Sequence, residues 1–117
     1  MPEGLSRPKC VVEQYTREGN WVVVVRGDLD MDSMPPVREA MERAAAALPV
    51  LILDTGAVSF ADSSALNLLL LIHQATTLRI AAPPPQLLRM LRITGADQIL
   101  NLYPSTEQAC AATGPRP

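Results

Sequence analysis

The sequence has little of what nucleic-acid and membrane binding need. Its aromatic residues are one Trp, two Tyr and one Phe, and ten Lys and Arg are outnumbered by twelve Asp and Glu. The formal net charge is −2. Because nucleic-acid surfaces combine clustered basic residues with aromatic side chains on which bases stack, we expect no direct nucleic-acid partner. An anionic membrane surface is disfavoured for the same electrostatic reason.

Cysteine and histidine are equally scarce. The chain has Cys10, Cys110 and a single histidine, His73, without a CxxC motif. A zinc site with the usual four ligands is therefore excluded, and no cofactor or other metal is expected. A disulfide between the ends of the chain is one interpretation, but we favour two unpaired thiols in a reducing compartment.

Long hydrophobic runs are also absent. The longest, Ala65–Ile72, is interrupted by Asn67 and is too short to span a bilayer. The first ten residues, MPEGLSRPKC, lack the apolar core of a signal peptide, so we expect a cytoplasmic protein without membrane insertion. The length of 117 residues allows one domain, predicted over residues 10–113 between short tails at 1–9 and 114–117.

Apolar runs typical of strands alternate with segments of helical periodicity. Predicted strands are Val11–Tyr15, Trp21–Arg26, Val50–Leu53, Leu78–Ala82 and Ile99–Tyr103, and predicted helices are Val37–Leu48, Ser63–Ala75, Gln86–Thr94 and a short one after a capping box at Ser105–Gln108. Residues 17–20 read as a hairpin turn, and Gly27 is expected to end the second strand, leaving residues 28–30 as a loop. The order β-β-α-β-α-β-α-β-α indicates an α/β fold with a mixed, largely parallel sheet covered by helices.

Residues 54–71, DTGAVSFADSSALNLLLL, are the segment most suggestive of function. A strand ending in Asp54 is expected to lead through a short loop to Asp62-Ser63-Ser64 at the start of an apolar helix. Ser63 is predicted to cap that helix, with Ser33 in the same role for the preceding one. The other interpretation of Ser63 is a phosphate acceptor, since negative charge is favourable at a helix N-terminus. Ser64 is the competing acceptor.

Catalytic and metal-binding alternatives fail on spacing. The GxSxG and GxxxxGK[ST] motifs are absent, and His73 lies ten positions after Ser63 in the same predicted helix. That separation is about 15 Å along a helix, so a serine–histidine pair is excluded and no enzyme is expected. Asp28, Asp30 and Asp32 begin like a calcium loop, but the required glycine and glutamate do not follow.

Three segments together resemble the STAS domain, a module of bacterial anti-sigma factor antagonists. They are WVVVVRGDLD, VLILDTGAVSFADSSAL and RIAAPPPQLLRMLRITGADQIL, within residues 21–103. The resemblance implies an α/β fold of four to five strands flanked by about four helices. It also implies protein–protein switching: the unphosphorylated domain binds an anti-sigma factor that is a serine kinase of the GHKL type, and so frees a sigma factor.

The resemblance further implies that the kinase phosphorylates Ser63, that phosphorylation ends binding, and that a serine phosphatase resets the switch. The implied partner surface comprises Asp28, Asp30, Asp62, Ser63 and Ser64. The alternative is a regulatory STAS subunit of a membrane transport ATPase of the phospholipid-transport type, or a stress-signalling scaffold, with no direct sigma-factor role.

Two departures from the family pattern adjoin Ser63. Ala65 replaces the usual glycine and is expected to add a methyl group where a partner approaches. The helix from Ser63 also reaches the next strand early, with Thr76-Thr77 as the whole connection. Both are expected to alter the partner surface.

Overall fold

The structure is a computed structural model and describes residues 10–112. Its elements are β1 (Cys10–Arg17), β2 (Asn20–Leu29), α1 (Met34–Ala47), β3 (Val50–Ala61), α2 (Ser63–Ala75), β4 (Thr77–Ala81), α3 (Pro85–Thr94), a 3₁₀ turn (Ala96–Gln98), β5 (Asn101–Tyr103) and α4 (Thr106–Ala111). The predicted order of strands and helices is confirmed.

The five strands form one sheet in the order β1-β2-β3-β4-β5. β1 and β2 are antiparallel and joined by the predicted hairpin, whose two turn residues, Glu18 and Gly19, have φ of 53° and 81°. Positive φ at both positions is typical of a type I′ turn, which matches the twist of the flanking strands. The other neighbouring strands are parallel, because a helix lies in each connection between them.

Helices cover the sheet unequally. The apolar faces of α1, α2 and α3 pack on one side and form the main core, whereas the six-residue α4 covers a smaller cluster on the other. Val22–Val25 in β2 alternate between these two clusters and are all buried. A continuously apolar strand is expected to be covered on both faces, and the burial of these four residues agrees with that expectation.

Two strands run further than predicted. β2 does not end at Gly27 but continues to Leu29, and β3 passes the expected loop and ends at Ala61. Gly27 has φ of 98°, and the β2–β3 register shifts directly after it, so a bulge absorbs the left-handed residue while the strand continues. Asp28 is therefore a strand residue, paired with Phe60, and not part of a loop.

Smaller differences concern the ends of elements. α1 begins at Met34, three residues earlier than predicted, and β5 begins only at Asn101. Gly95 ends α3 in the left-handed conformation, with φ of 80°, as expected of a glycine cap. The Ser105 hydroxyl accepts a hydrogen bond from the Gln108 backbone N–H at 3.1 Å, which confirms the predicted cap of α4.

Candidate functional site

The predicted site residues meet where β2 and β3 end. The Asp62 N–H donates to the Leu29 carbonyl at 3.2 Å, and the Met31 N–H donates to Asp62 Oδ2 at 3.3 Å. These bonds tie the β2–α1 loop to the first turn of α2. We call this surface the carboxyl edge, defined as residues 28–33 and 60–64. It brings together all five residues proposed for partner binding: Asp28, Asp30, Asp62, Ser63 and Ser64.

Asp62 caps α2. Its Oδ1 accepts hydrogen bonds from the N–H groups of Ser64 at 2.9 Å and Ala65 at 3.3 Å, and its backbone is extended. The prediction that Ser63 is the cap is therefore wrong by one residue. The Asp62 carboxylate satisfies two N–H groups that the helix cannot, and its charge is favourable at this end of the helix.

Because Asp62 is the cap, Ser63 does not cap the helix. It is the first residue of α2 and exposed, and its hydroxyl makes no hydrogen bond within the described part of the chain. Ser64, the competing acceptor, is half-buried. Of the two hydroxyls, that of Ser63 is the more accessible to another protein.

The β2–α1 loop is held by its own polar side chains. Asp30 Oδ1 accepts from the backbone N–H groups of Asp32 at 3.0 Å and Ser33 at 3.1 Å. The Ser33 hydroxyl donates to the Asp28 carbonyl at 2.7 Å and accepts from the Asp30 N–H at 3.0 Å. Asp30 and Ser33 thus shape the loop, whereas Asp28 is half-buried and its carboxylate makes no hydrogen bond within the described residues.

Ser33 does not cap α1 through its side chain, although it occupies the N-cap position. An N-cap side chain bonds the N–H of the second or third helical residue. These residues are Pro35 and Pro36, which have no N–H group. The predicted N-cap position of Ser33 is confirmed, but its side chain makes no capping hydrogen bond, and the hydroxyl stabilises the preceding loop instead.

Gln86 is a positioning residue that the sequence did not reveal. β4 pairs with β3 only as far as Ala81 opposite Asp54, so the end of β3 has no strand on that side. Gln86, in the first turn of α3, fills the gap: its Oε1 accepts from the Ala61 N–H at 2.9 Å and its Nε2 donates to the Ala61 carbonyl at 2.8 Å. The side-chain amide thus replaces a strand partner directly before Asp62.

Two large apolar side chains are exposed at the carboxyl edge. Met31 is 70% exposed and Phe60 is 47% exposed. Phe60 precedes Ser63 by three residues in the sequence, whereas Met31 comes from the β2–α1 loop. Exposed apolar residues beside a polar centre are typical of a protein-binding surface.

The aspartates of the carboxyl edge also affect Cys10, which pairs with Gly27 in the sheet. Burial raises the pKa of the Cys10 thiol, and the negative charges of Asp30 and Asp28 raise it further. Burial also raises the pKa of Cys110. Both cysteines are free, which confirms the prediction of unpaired thiols.

Neither departure from the family pattern places a side chain on the surface of the carboxyl edge. Ala65 is fully buried in the main core, so the expectation that its methyl group faces a partner is wrong. The connection from α2 to β4 is one residue shorter than predicted, because β4 already begins at Thr77. It consists of Thr76, whose hydroxyl donates to the Leu48 carbonyl at 2.7 Å. It lies at the other end of α2, about 20 Å from Ser63 by helical rise.

Residues 10–112 contain neither a metal-binding cluster nor a membrane-spanning helix. No group of three or more His, Cys, Asp or Glu side chains there is arranged to hold a metal ion. No helix in this range is long and apolar enough to cross a membrane.

Comparison with known families identifies the fold. The sequence model of the STAS domain matches residues 12–109. The chain belongs to the STAS-domain family. No curated protein sequence matches this STAS domain significantly.

Several solved structures share its architecture. An anti-sigma factor antagonist from Mycobacterium paratuberculosis is 29% identical with a TM-score of 0.82, over 92% of this chain and 97% of that one. The anti-sigma factor antagonist SpoIIAA in its unphosphorylated form is 22% identical with a TM-score of 0.69, over 86% of this chain and 91% of that one. The Bacillus cell fate determinant SpoIIAA in the phosphorylated form is also 22% identical, with a TM-score of 0.65, over 87% and 96% of the two chains. The predicted α/β STAS fold is confirmed.

Proposed function

We propose that this STAS domain is an anti-sigma factor antagonist whose carboxyl edge binds an anti-sigma factor when Ser63 is unphosphorylated. Phosphorylation of Ser63 by that partner, a serine kinase of the GHKL type, ends the complex, and a serine phosphatase restores it. The proposal depends on one observation above all: Ser63 is exposed at the first position of α2, while Asp62 performs the capping.

Because Asp62 caps the helix and Ser63 carries the exposed hydroxyl, a phosphate on Ser63 can act on binding without unfolding the domain. A phosphate on Ser63 adds nearly two negative charges at the positive end of α2, where the helix dipole favours them. It displaces no structural hydrogen bond of the Ser63 hydroxyl within the described residues. A docked partner, in contrast, would have to accommodate and desolvate the phosphate beside the Asp62 carboxylate.

The similarity to known structures supports the proposed switch. A structural relative is described as an anti-sigma factor antagonist at 29% identity, and SpoIIAA exists in phosphorylated and unphosphorylated forms. Because this chain has an acceptor hydroxyl in a suitable environment, the same kind of switch is the function that its geometry supports best.

The apolar pair at the carboxyl edge provides a test of the binding surface. We expect Met31→Ala and Phe60→Ala each to weaken binding of the anti-sigma factor about tenfold, since each removes apolar area that a partner would bury. Isothermal titration calorimetry with the anti-sigma factor encoded in the same genome measures the effect. Ile93→Ala is the matched control, because Ile93 is 77% exposed but lies on α3, outside the carboxyl edge.

Unchanged affinity in both Met31→Ala and Phe60→Ala, or an equal loss in Ile93→Ala, would place the binding surface elsewhere. Circular dichroism should show wild-type folding in all three variants.

A further inference from the structure

The two outer strands of the sheet differ in how well they are protected against pairing with a strand of another chain. β5 is an outer strand of only three residues, which is too short to serve as a template for another strand. β1 has eight residues, pairs with β2 along its whole length without a register shift, and contains no proline or lysine. No described strand pairs with its other side. β1 therefore lacks several of the features by which proteins prevent strand addition.

The hairpin determines which backbone groups of β1 face outward. Arg17 and Asn20 flank a two-residue turn, so they form a hydrogen-bonded pair, and such pairs alternate with non-hydrogen-bonded pairs along the ladder. The N–H and carbonyl groups of Val12, Gln14 and Thr16 consequently point away from β2. No strand within residues 10–112 occupies them, so they can pair with a further strand.

Space for the side chains of such a strand exists beside β1. A groove of about 290 Å³ lies between β1 and α1. It is lined by Val12, Gln14, Pro36 and Ala40 and by the Arg43–Glu39 ion pair. A second groove, of about 260 Å³ and mainly apolar, continues along α1 past Trp21. An added strand would place alternate side chains in these grooves.

The side chains of β1 are complementary to those of β1 in a second copy of the chain, so a second copy is a suitable partner for this strand. When two β1 strands pair antiparallel about a two-fold axis at Tyr15, Gln14 lies opposite Thr16 of the other copy, with the outward groups of both aligned. In the same register Glu13 lies opposite Arg17 of the other copy, twice by symmetry. The two Tyr15 side chains, each on a residue 39% exposed, become direct neighbours. Opposite charges and aromatic residues in cross-strand positions stabilise a pairing.

We propose that this STAS domain forms a two-fold dimer through β1, which joins the two sheets into one of ten strands. The interface leaves the carboxyl edge open, because Ser63 follows β3, two strands and about 10 Å from β1. The dimer therefore presents two independent switch sites, and its existence does not depend on the proposed function.

Charge exchange tests this register. In sedimentation velocity of the full chain, the wild type should sediment as a dimer. Glu13→Arg and Arg17→Glu should each raise the dimer dissociation constant about tenfold, because each places two pairs of like charges opposite one another. The double variant Glu13→Arg/Arg17→Glu should restore the wild-type constant to within about threefold, since opposite charges face each other again.

Arg26→Ala is the matched control. It removes the exposed Arg26–Glu13 ion pair of 3.2 Å within one chain but leaves the proposed interchain pairs, so dimerisation should be unchanged. Thr16→Pro, which removes an outward N–H, should give a monomer; thermal melting shows whether it is folded. Three results would each overturn the proposal: a monomeric wild type, a dimer insensitive to both single exchanges, or a folded double variant whose dissociation constant stays as high as that of the single variants.

Discussion

The substitution Ser63→Asp is expected to weaken binding of the anti-sigma factor about 100-fold, equivalent to about 2.7 kcal/mol. The cost arises in the complex, where a new carboxylate beside Asp62 is desolvated against the partner without a compensating charge. In the free protein the same charge lies at the first position of α2, where the helix dipole opposes the repulsion from Asp62. The free energy of unfolding should therefore remain within about 1 kcal/mol of the wild-type value. Calorimetric titration and chemical denaturation measure the two quantities separately.

Two variants isolate the position of the charge. Thr106 is the first residue of α4, as Ser63 is the first residue of α2, but it lies outside the carboxyl edge. Thr106→Asp therefore adds the same charge at an equivalent helical position and should leave the affinity for the anti-sigma factor unchanged. Ser63→Ala removes the hydroxyl without adding charge and should retain binding to within a few-fold. Wild-type affinity in Ser63→Asp, or an equal loss in Thr106→Asp, would contradict a switch located at Ser63.

The substitution Asp62→Ala is expected to lower the free energy of unfolding by about 2 kcal/mol. It removes the acceptor of two N–H groups at the start of α2 and of the Met31 N–H in the neighbouring loop. A fall in Tm of roughly 6 to 12 °C should follow for a domain of this size, measured by differential scanning calorimetry. Because the Met31 contact is lost as well, the β2–α1 loop should also show faster amide hydrogen exchange.

Asp62→Asn is the control for the capping argument. Its side-chain oxygen still accepts hydrogen bonds, and asparagine is a good N-cap residue, so less than half of the stability loss is expected. An equal loss in both variants would attribute the effect to charge. A negligible loss in Asp62→Ala would show that the bonds to Met31, Ser64 and Ala65 contribute little.

The order of elements and the main core could be predicted because both follow from periodicity. The spacing of Val37, Met41, Ala44, Ala45 and Leu48 predicts one apolar face for α1. The first four are buried, and Leu48, which follows the helix, is half-buried against the same core. The run Val22–Val25 likewise predicted a strand covered on both sides. These are local patterns, and the structure only shifts their ends.

The misplaced features depend on pairing that a local pattern does not contain. Gly27 normally signals a strand end, but here the neighbouring β3 supplies a partner beyond it, and β2 continues through a bulge. Asp62 and Ser63 are both good caps, and only the backbone geometry distinguishes them. Gln86 contacts Ala61 across 25 residues, so its role appears only in the folded chain.

The most direct test of the central claim is to map the phosphate after incubation with the anti-sigma factor serine kinase encoded in the same genome and ATP. Mass spectrometry should locate a single phosphate on Ser63, none should appear on Ser63→Ala, and the phosphorylated chain should no longer bind the kinase. A phosphate on Ser64 instead, no phosphate at all, or a Ser63-phosphorylated chain that binds as tightly as the unmodified one would contradict the account.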